Sequence, residues 1–145
     1  MWEVEKIPVG TEYRIGTYIY NDRSLLERKV CREEDCALTV LTTVVSTPTP
    51  QRAVVDAGSK VLTTDLFGLA GHGHVIDHTH LTISQLSEEH ACIVSDSETG
   101  LSIGQKVRII PNHACVVSNM VDEVVFIEGH KVLKSQTVAA RGKVL

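Results

Sequence analysis

The segment Pro111-Asn112-His113-Ala114-Cys115 carries the two side chains best suited to chemistry in this sequence of 145 residues. On a strand, residues i and i+2 project from one face, so His113 and Cys115 would point the same way. Imidazole and thiolate are both zinc ligands, and a pair of them leaves positions for water or substrate. The spacing is therefore compatible with an open metal site. By spacing alone, a buried cysteine beside a hydrogen-bonded histidine is the more common explanation.

A second group of histidines lies earlier in the chain, at His72, His74, His78 and His80. Alternating residues of a strand share a face, and histidine is a common metal ligand. The run from His72 to His78 is similar to the His-x-His-x-Asp-His pattern of metallo-β-lactamase-like hydrolases, with one extra residue before Asp77. The neighbouring glycines are typical of a flexible loop with solvated imidazoles. A stand-alone metal hydrolase is therefore the weaker hypothesis.

Two further places carry reactive side chains. Glu89 stands next to His90, and such a pair suits acid–base work or support of a metal ligand, although a polar turn is the alternative. Lys60 follows a tight-turn sequence and in principle suits a Schiff base. Nothing in the sequence indicates that it is buried, so a surface lysine is favoured.

The composition limits the class of protein. Hydrophobic residues make up 43% and aromatic residues only 4%, which predicts one domain with a core of Val, Ile, Leu and Ala. A net charge of −4 argues against a nucleic-acid partner. No apolar run approaches the ~18 residues of a membrane span, and the N-terminus lacks the pattern of a signal peptide. We therefore expect a cytoplasmic protein with no membrane association, whose four cysteines are thiols or ligands rather than a disulfide framework.

Short β-branched runs separated by Gly, Pro and Asn predict roughly seven to nine strands and little helix. The predicted strands are 13–20, 37–46, 53–56, 75–83, 91–94, 107–110, 114–117, 123–127 and 131–138. A short helix carrying Leu25 and Leu26 is expected after Asp22, which would cap it. We predict a mainly β fold, a single barrel or sandwich spanning residues 1–145.

Several segments, taken in order, resemble one family. They are Gly16-Thr17-Tyr18-Ile19-Tyr20-Asn21-Asp22, Ala37-Leu38-Thr39-Val40 running into Val45-Ser46, Val55-Asp56-Ala57-Gly58-Ser59-Lys60 with Asp65, Leu86-Ser87-Glu88-Glu89-His90, the segment 111–115, and Ala140-Arg141-Gly142. This order resembles the C-terminal part of the metal-activated pyridoxal-phosphate enzymes, the D-serine dehydratase and D-threonine aldolase group. The resemblance covers nearly the whole chain and implies a β domain like the C-terminal domain of alanine racemase.

In that family an N-terminal (β/α)₈ barrel carries the Schiff-base lysine, and the β domain supplies metal ligands. The resemblance implies that His113 and Cys115 match the His-x-Cys zinc pair of D-serine dehydratases, whereas the aldolase branch typically has His-x-Asp. The substrates it implies are D-configured β-hydroxy amino acids. The metal would polarise the substrate hydroxyl while pyridoxal phosphate stabilises the carbanion.

The barrel and its phosphate-binding elements have no counterpart in this sequence, and Lys60 does not match the pyridoxal lysine. We therefore expect a zinc-binding domain of a D-serine ammonia-lyase or D-threonine aldolase type of lyase, inactive alone, with pyridoxal phosphate only in the complete enzyme. The chain would be a fragment, a truncated product or one subunit of a split enzyme. The expected partners are a barrel-domain chain, further copies in a homo-oligomer, and a small D-amino acid. The alternative is a non-catalytic β module for interaction or oligomerisation.

Overall fold

The computed structural model describes residue 12 and residues 15–143. Most of this part is one antiparallel sheet of six strands in the order β3-β6-β1-β2-β5-β4, and a separate β7–β8 hairpin follows it. The main-chain N–H of His72, just before β3, donates to the carbonyl of Ile83 in β4 at 3.0 Å. Because the two edges of the sheet approach each other in this way, the sheet is a nearly closed barrel. The fold is mainly β, as predicted.

The elements follow one another along the chain as α1 (Arg23–Glu27), β1 (Val40–Thr49), β2 (Arg52–Val55), α2 (Ser59–Leu62), β3 (His74–Val75), β4 (Thr82–Leu86), β5 (Ala91–Val94), β6 (Lys106–Ile110), α3 (Ala114–Met120), β7 (Glu123–Glu128) and β8 (Lys131–Thr137). Two 3₁₀ turns, Thr17–Ile19 and Glu33–Asp35, precede the sheet. The helices are short, and none in the described part is long and apolar enough to cross a membrane.

The core lies inside the curled sheet and consists of aliphatic side chains. In β1, Val40, Thr42 and Val44 are buried while Leu41 between them is exposed, which is the alternation that the sequence predicts. Across the strands Val40 pairs with Ile109, which is fully buried. Each such side chain contributes roughly 1.5–3 kcal/mol when it leaves water, so the aliphatic core stabilises the sheet without large aromatic residues.

Much of the predicted order of elements is confirmed. The strands at 53–56, 91–94, 107–110, 123–127 and 131–138 are present within a residue or two of their predicted bounds. The helix after Asp22 is present, and the Asp22 carboxylate accepts a hydrogen bond from the main-chain N–H of Leu25. Gly129 turns the final hairpin with a φ of 58°, a conformation that glycine adopts without strain.

Four predicted elements differ in the structure. Residues 13 and 14 of the predicted strand 13–20 lie outside the described part, and the rest forms the exposed 3₁₀ turn Thr17–Ile19 instead of a strand. The predicted strand 75–83 is divided into β3 and β4 by a turn at Asp77, whose φ is 64°. β1 runs on through Pro48 to Thr49. In this part only β2 pairs with it, so the N–H that Pro48 lacks costs no hydrogen bond to β6.

The fourth difference is the largest, because the predicted strand 114–117 is the first half of helix α3. The β-branched Val116 and Val117 favour a strand locally, but the buried Asp22 carboxylate binds the main-chain N–H of Ala114 and fixes the start of a helix. A tertiary contact thus overrides local propensity.

Candidate metal centre at the start of helix α3

His113 and Cys115 lie at the start of α3. His113 is the residue before the helix, with φ −137° and ψ 97°, and Cys115 is the second helical residue. Both are half-buried. The prediction that both residues project from one face of a strand is therefore wrong, because the backbone is extended at His113 and helical at Cys115.

Asp65 holds the imidazole of His113. Its carboxylate Oδ2 lies 2.6 Å from Nδ1 of the ring. A carboxylate only accepts hydrogen bonds, so Nδ1 carries a proton, and in the neutral ring Nε2 keeps its lone pair. The ring side chain is 24% exposed. This arrangement orients a histidine as metal ligands are oriented in proteins, with a carboxylate behind the ring and a free nitrogen in front.

Asn112, which is 1% exposed, fixes the position of Asp65. Its Nδ2 donates to the carbonyls of Asp65 and Gly71, both at 2.9 Å. The guanidinium of Arg23 donates to the Asn112 Oδ1 and to the same Gly71 carbonyl, both at 3.3 Å. A buried amide with all of these partners has one stable orientation, so Asn112 ties the loop of Asp65 to the residue that precedes His113.

Asp22 fixes the other side of the segment. The carboxylate is fully buried and accepts from the Ala114 N–H at 3.0 Å through Oδ2. Its Oδ1 accepts from the Ser24 hydroxyl at 2.6 Å and from the Leu25 N–H at 3.3 Å. One side chain thus caps both α1 and α3, and it does so beside the two candidate ligands.

The immediate surroundings of the pair are mixed in polarity. The hydroxyl of Thr17 lies 3.6 Å from the sulfur of Cys115. The ring of Phe67 meets that of His113 edge-on, with centroids 4.8 Å apart. Phe67 and Tyr18, the neighbour of Thr17, are 47% and 62% exposed. The site therefore opens toward solvent between apolar side chains.

The pair offers a metal two donors. Within the described residues no group of three or more His, Cys, Asp or Glu side chains is arranged to hold an ion. A neutral imidazole nitrogen and a thiolate suit zinc, whose preferred set has four members. The residues present therefore fit half of a zinc site, and its remaining positions need water, substrate or another polypeptide.

Pyridoxal phosphate does not fit this part of the chain. Every lysine among the described residues is exposed, whereas a Schiff-base lysine is usually activated by desolvation or a neighbouring cation. Lys60 has the opposite surroundings, since Glu89 and Glu88 lie 2.5 and 3.1 Å from its ammonium and raise the pKa of Lys60. These contacts keep Lys60 protonated and agree with its prediction as a surface residue.

Glu89 and His90, considered as support for the site, lie on the exposed loop between β4 and β5. The loop packs against the start of α2, where a Cβ on Gly58 would lie 2.3 Å from the Glu88 carbonyl. The carboxylate that contacts His113 is Asp65, 48 positions away in sequence. Because of that separation the sequence does not predict the contact, and Asp65 appears in the sequence analysis only as part of a segment that resembles the family.

The earlier histidines diverge in the structure. His74 pairs with Glu33 at 2.6 Å, while His78 and His80 form an edge-on ring pair with centroids 6.0 Å apart. His72 has a buried Nδ1 without a hydrogen-bond partner, and burial, with a smaller effect of Arg23, lowers its pKa. These side chains lie on a loop, on β3 and in a turn, so the geometry gives no support to the hydrolase hypothesis.

Known proteins resemble the chain in sequence and in fold. The family model described as "Putative serine dehydratase domain" matches residues 37–127. The uncharacterized protein Rv1414 of Mycobacterium tuberculosis is 41% identical over 128 residues, covering 84% of this chain and 96% of its own length. D-serine dehydratase of Dictyostelium discoideum is 34% identical over 123 residues, covering 75% of this chain and 31% of that enzyme.

Solved structures agree with the sequence comparison. D-threonine aldolase from Filomicrobium marinum superposes with a TM-score of 0.75 at 29% identity, covering 90% of this chain and 36% of the aldolase. The chain thus spans about a third of the length of these two enzymes, but nearly all of the mycobacterial protein. These matches show that the chain belongs to the D-serine dehydratase and D-threonine aldolase family, as a C-terminal β domain of the alanine-racemase-like fold.

Proposed function

We propose that this chain is the metal-binding domain of a D-serine dehydratase or D-threonine aldolase type of lyase, with His113 and Cys115 as its metal ligands. It acts on D-β-hydroxy amino acids only together with a barrel-bearing polypeptide that holds pyridoxal phosphate. The observation that carries the proposal is the 2.6 Å hydrogen bond between Asp65 and His113, which leaves Nε2 as a directed donor.

The names of related solved structures support this choice of residues. One of them is a cysteine-to-alanine variant of D-threo-3-hydroxyaspartate dehydratase in the metal-free form, with a TM-score of 0.71 and 25% identity to this chain. An enzyme of the same name was also solved with a histidine replaced by alanine two positions earlier in its numbering. His113 and Cys115 have that same order and spacing.

The chain's own residues have distinct tasks in this proposal. Nε2 of His113 and the deprotonated sulfur of Cys115 bind the ion, and Asp65 keeps the proton on Nδ1. The Thr17 hydroxyl lies 3.6 Å from this sulfur and would donate to it once the sulfur is a thiolate. The metal supplies Lewis-acid polarisation of the substrate hydroxyl. Because Asn112 and Asp22 fix the backbone on either side of His113, the two donors are held in place before any metal binds.

Metal analysis of chelator-free protein tests the assignment. We expect zinc to co-purify with the wild-type chain and to be lost from the double variant His113→Ala/Cys115→Ala. A Cys92→Ala variant is the matched control, because Cys92 is a buried thiol on β5. Unchanged zinc content in the double variant would show that the ligands lie elsewhere.

Replacing Asp65 by Asn tests how the orientation of the His113 ring affects metal binding while both proposed ligands stay in place. The amide keeps the size of the carboxylate and one acceptor oxygen but loses its negative charge, so it holds the Nδ1–H less strongly. We therefore expect zinc affinity to fall about 10–100-fold with both ligands intact. Competition with a chromophoric chelator measures this. An affinity equal to that of the wild type would remove the support that the hydrogen bond gives to the proposal.

A non-catalytic interaction module is the second candidate, and the β7–β8 hairpin favours it. Val125, Ile127 and Val132 on this hairpin are 58%, 45% and 64% exposed. Mixing the chain with a barrel-bearing relative separates the candidates. D-serine turnover that requires His113 and Cys115 would refute a purely structural role, whereas binding without any gain in turnover would favour it.

A further inference from the structure

We propose that Cys31 and Cys36 are a redox-active thiol pair, which a low-molecular-weight disulfide oxidises to a reversible disulfide within the chain. The pair lies in the segment between α1 and β1, so this inference does not rest on the proposed metal binding. It adds a modification site and the class of compound that reacts there.

The two thiols lie against each other across a single turn. Cys31 and Cys36 stand on either side of the 3₁₀ turn Glu33–Asp35, and both are free thiols. Their side chains are hydrogen-bonded to each other. The Cys36 thiol also donates to the carbonyl of Arg32, the neighbour of Cys31, at 3.7 Å. A disulfide requires two cysteine side chains that face each other at short range, and the turn supplies this arrangement.

Main-chain and side-chain contacts hold the turn closed. The N–H of Cys36 donates to the Glu33 carbonyl at 3.1 Å, and the N–H of Asp35 donates to the Arg32 carbonyl at 3.1 Å. The Asp35 carboxylate in turn accepts from the Arg32 N–H at 2.9 Å. Because these contacts already bring the ends of the segment together, a disulfide should form here with little movement of the backbone.

The two thiols have unequal surroundings, which gives each a separate task. Cys36 is 8% exposed, and burial, with smaller effects of Cys31, Asp22 and Asp35, raises the pKa of its thiol to about 12. Burial raises the pKa of the half-buried Cys31 as well, but the hydrogen bond from Cys36 acts against this rise. The protonated Cys36 thus donates to the more accessible Cys31, which is the thiol that ionises and attacks first.

The reaction consists of two thiol–disulfide exchanges. The Cys31 thiolate attacks one sulfur of the small disulfide, breaks its S–S bond and releases one small thiolate. Cys36 then loses its proton and attacks the Cys31 sulfur of the mixed disulfide, which releases the second small thiolate. The two protein thiols are oxidised, the small disulfide is reduced, and the released thiolates take up the two protons. A disulfide suits this pair better than a peroxide does, because peroxide sensitivity follows a low thiol pKa whereas nucleophilicity toward a disulfide increases with pKa.

The disulfide would reinforce a segment that supports residues beside the candidate metal centre. The N–H of Ala37 donates to the Tyr20 carbonyl at 2.7 Å, and the Asn21 amide donates to the Asp35 carbonyl at 2.9 Å. Asp22, which caps α1 and α3, follows directly. Closing a short loop lowers the entropy of the unfolded chain, so the oxidised form should melt roughly 5 °C above the reduced form.

Peptide mapping of the reduced chain after exposure to oxidised glutathione tests the inference. Trypsin cuts after Arg32, between the two cysteines, so the disulfide appears without reductant as a covalent link between peptides 30–32 and 33–52. We expect this link to form and to be lost with dithiothreitol, together with the rise in melting temperature. A chain that keeps glutathione on Cys31 and never forms the link would overturn the inference.

Single variants test the order of attack. Cys36→Ser should hold one glutathione on Cys31, because no second thiol resolves the mixed disulfide. In Cys31→Ser the buried Cys36 should react at least ~10-fold more slowly than Cys31 does in Cys36→Ser. Cys92→Ser is the matched control, because Cys92 is also buried but lies on β5, and it should form the 31–36 disulfide at the wild-type rate.

The remaining outcomes also decide the question. Equal rates of modification in Cys36→Ser and Cys31→Ser would overturn the assigned order of attack. A disulfide that joins Cys31 or Cys36 to Cys92 or Cys115 instead would overturn the pair itself. None of these results changes the expected zinc content of His113→Ala/Cys115→Ala, so the proposed function stands or falls separately.

Discussion

Replacing Asp22 by alanine should destabilise the whole domain, because this carboxylate caps two helices at once. Its Oδ1 accepts from the Ser24 hydroxyl and the Leu25 N–H at the start of α1. Its Oδ2 accepts from the N–H of Ala114, a residue with no exposed surface at the start of α3. Alanine offers neither helix an acceptor, and water does not reach the fully buried position of Asp22.

The magnitude follows from the groups left without partners. Loss of the cap on α1 costs about 1 kcal/mol. A buried N–H without an acceptor at Ala114 costs about 1–3 kcal/mol more. We therefore expect Asp22→Ala to lower the free energy of unfolding by roughly 2–4 kcal/mol, which shifts the melting temperature on the order of 10 °C for a chain of this size.

Urea denaturation followed by far-UV circular dichroism measures the change. Asp122→Ala is the control, because Asp122 is an exposed partner of Arg141 and should cost less than ~0.5 kcal/mol. Asp22→Asn keeps one oxygen acceptor, so it should lie between the wild type and Asp22→Ala. If Asp22→Ala unfolds at the same urea concentration as Asp122→Ala, the two-helix cap does not contribute as argued.

Two further predictions concern the sheet and the loop beside it. The Thr42 hydroxyl and the Thr43 N–H donate to the Asp56 carboxylate at 2.6 and 2.7 Å and hold the pKa of Asp56 below its ordinary 3.8. This stabilisation is present above pH 3.8 and is lost as pH falls through the lower folded-state pKa. Asp56→Asn should therefore reduce the fall of the melting temperature at acid pH. A fall equal to that of the wild type would contradict the assignment. Gly58→Ala should cost at least ~2 kcal/mol in urea denaturation, because its Cβ would lie 2.3 Å from the Glu88 carbonyl oxygen. Gly16→Ala is the control, with no atom within 4 Å of the added Cβ, and equal stability of the two variants would show that the loop yields easily.

The sequence predicts the sheet well because its strands satisfy local rules. Residues 91–94 are apolar and flanked by turns, and they form β5 with the predicted bounds. The alternation of β1 is visible in its burial. Hydrophobic periodicity and turn-forming residues depend on neighbours in the sequence, so one sequence without homologues is enough to predict these strands.

The sequence predicts the site less completely because its geometry depends on distant residues. His113 and Cys115 are recognisable as reactive types at close spacing. Asp65, which contacts His113, lies 48 positions away, and Asp22, which contacts the Ala114 N–H, lies 92 positions away. The helix at 114–120 begins where that buried carboxylate meets a main-chain N–H, a contact that no local pattern contains. Residue type and resemblance thus predict the candidate pair, and its backbone conformation was predicted wrongly.

The framework of the pair has a consequence for how the domain works with others. Asn112, Asp65 and Asp22 all lie in this chain, and together they fix the ring and the backbone of His113 without help from a barrel. Preorganised donors lose little conformational entropy on binding, so the affinity for the ion should belong to the domain itself. Under the proposed function, a barrel-bearing partner would add ligands and chemistry to donors that are already in position. Asp65→Asn should therefore lower the zinc affinity of the chain by the same factor with and without a partner.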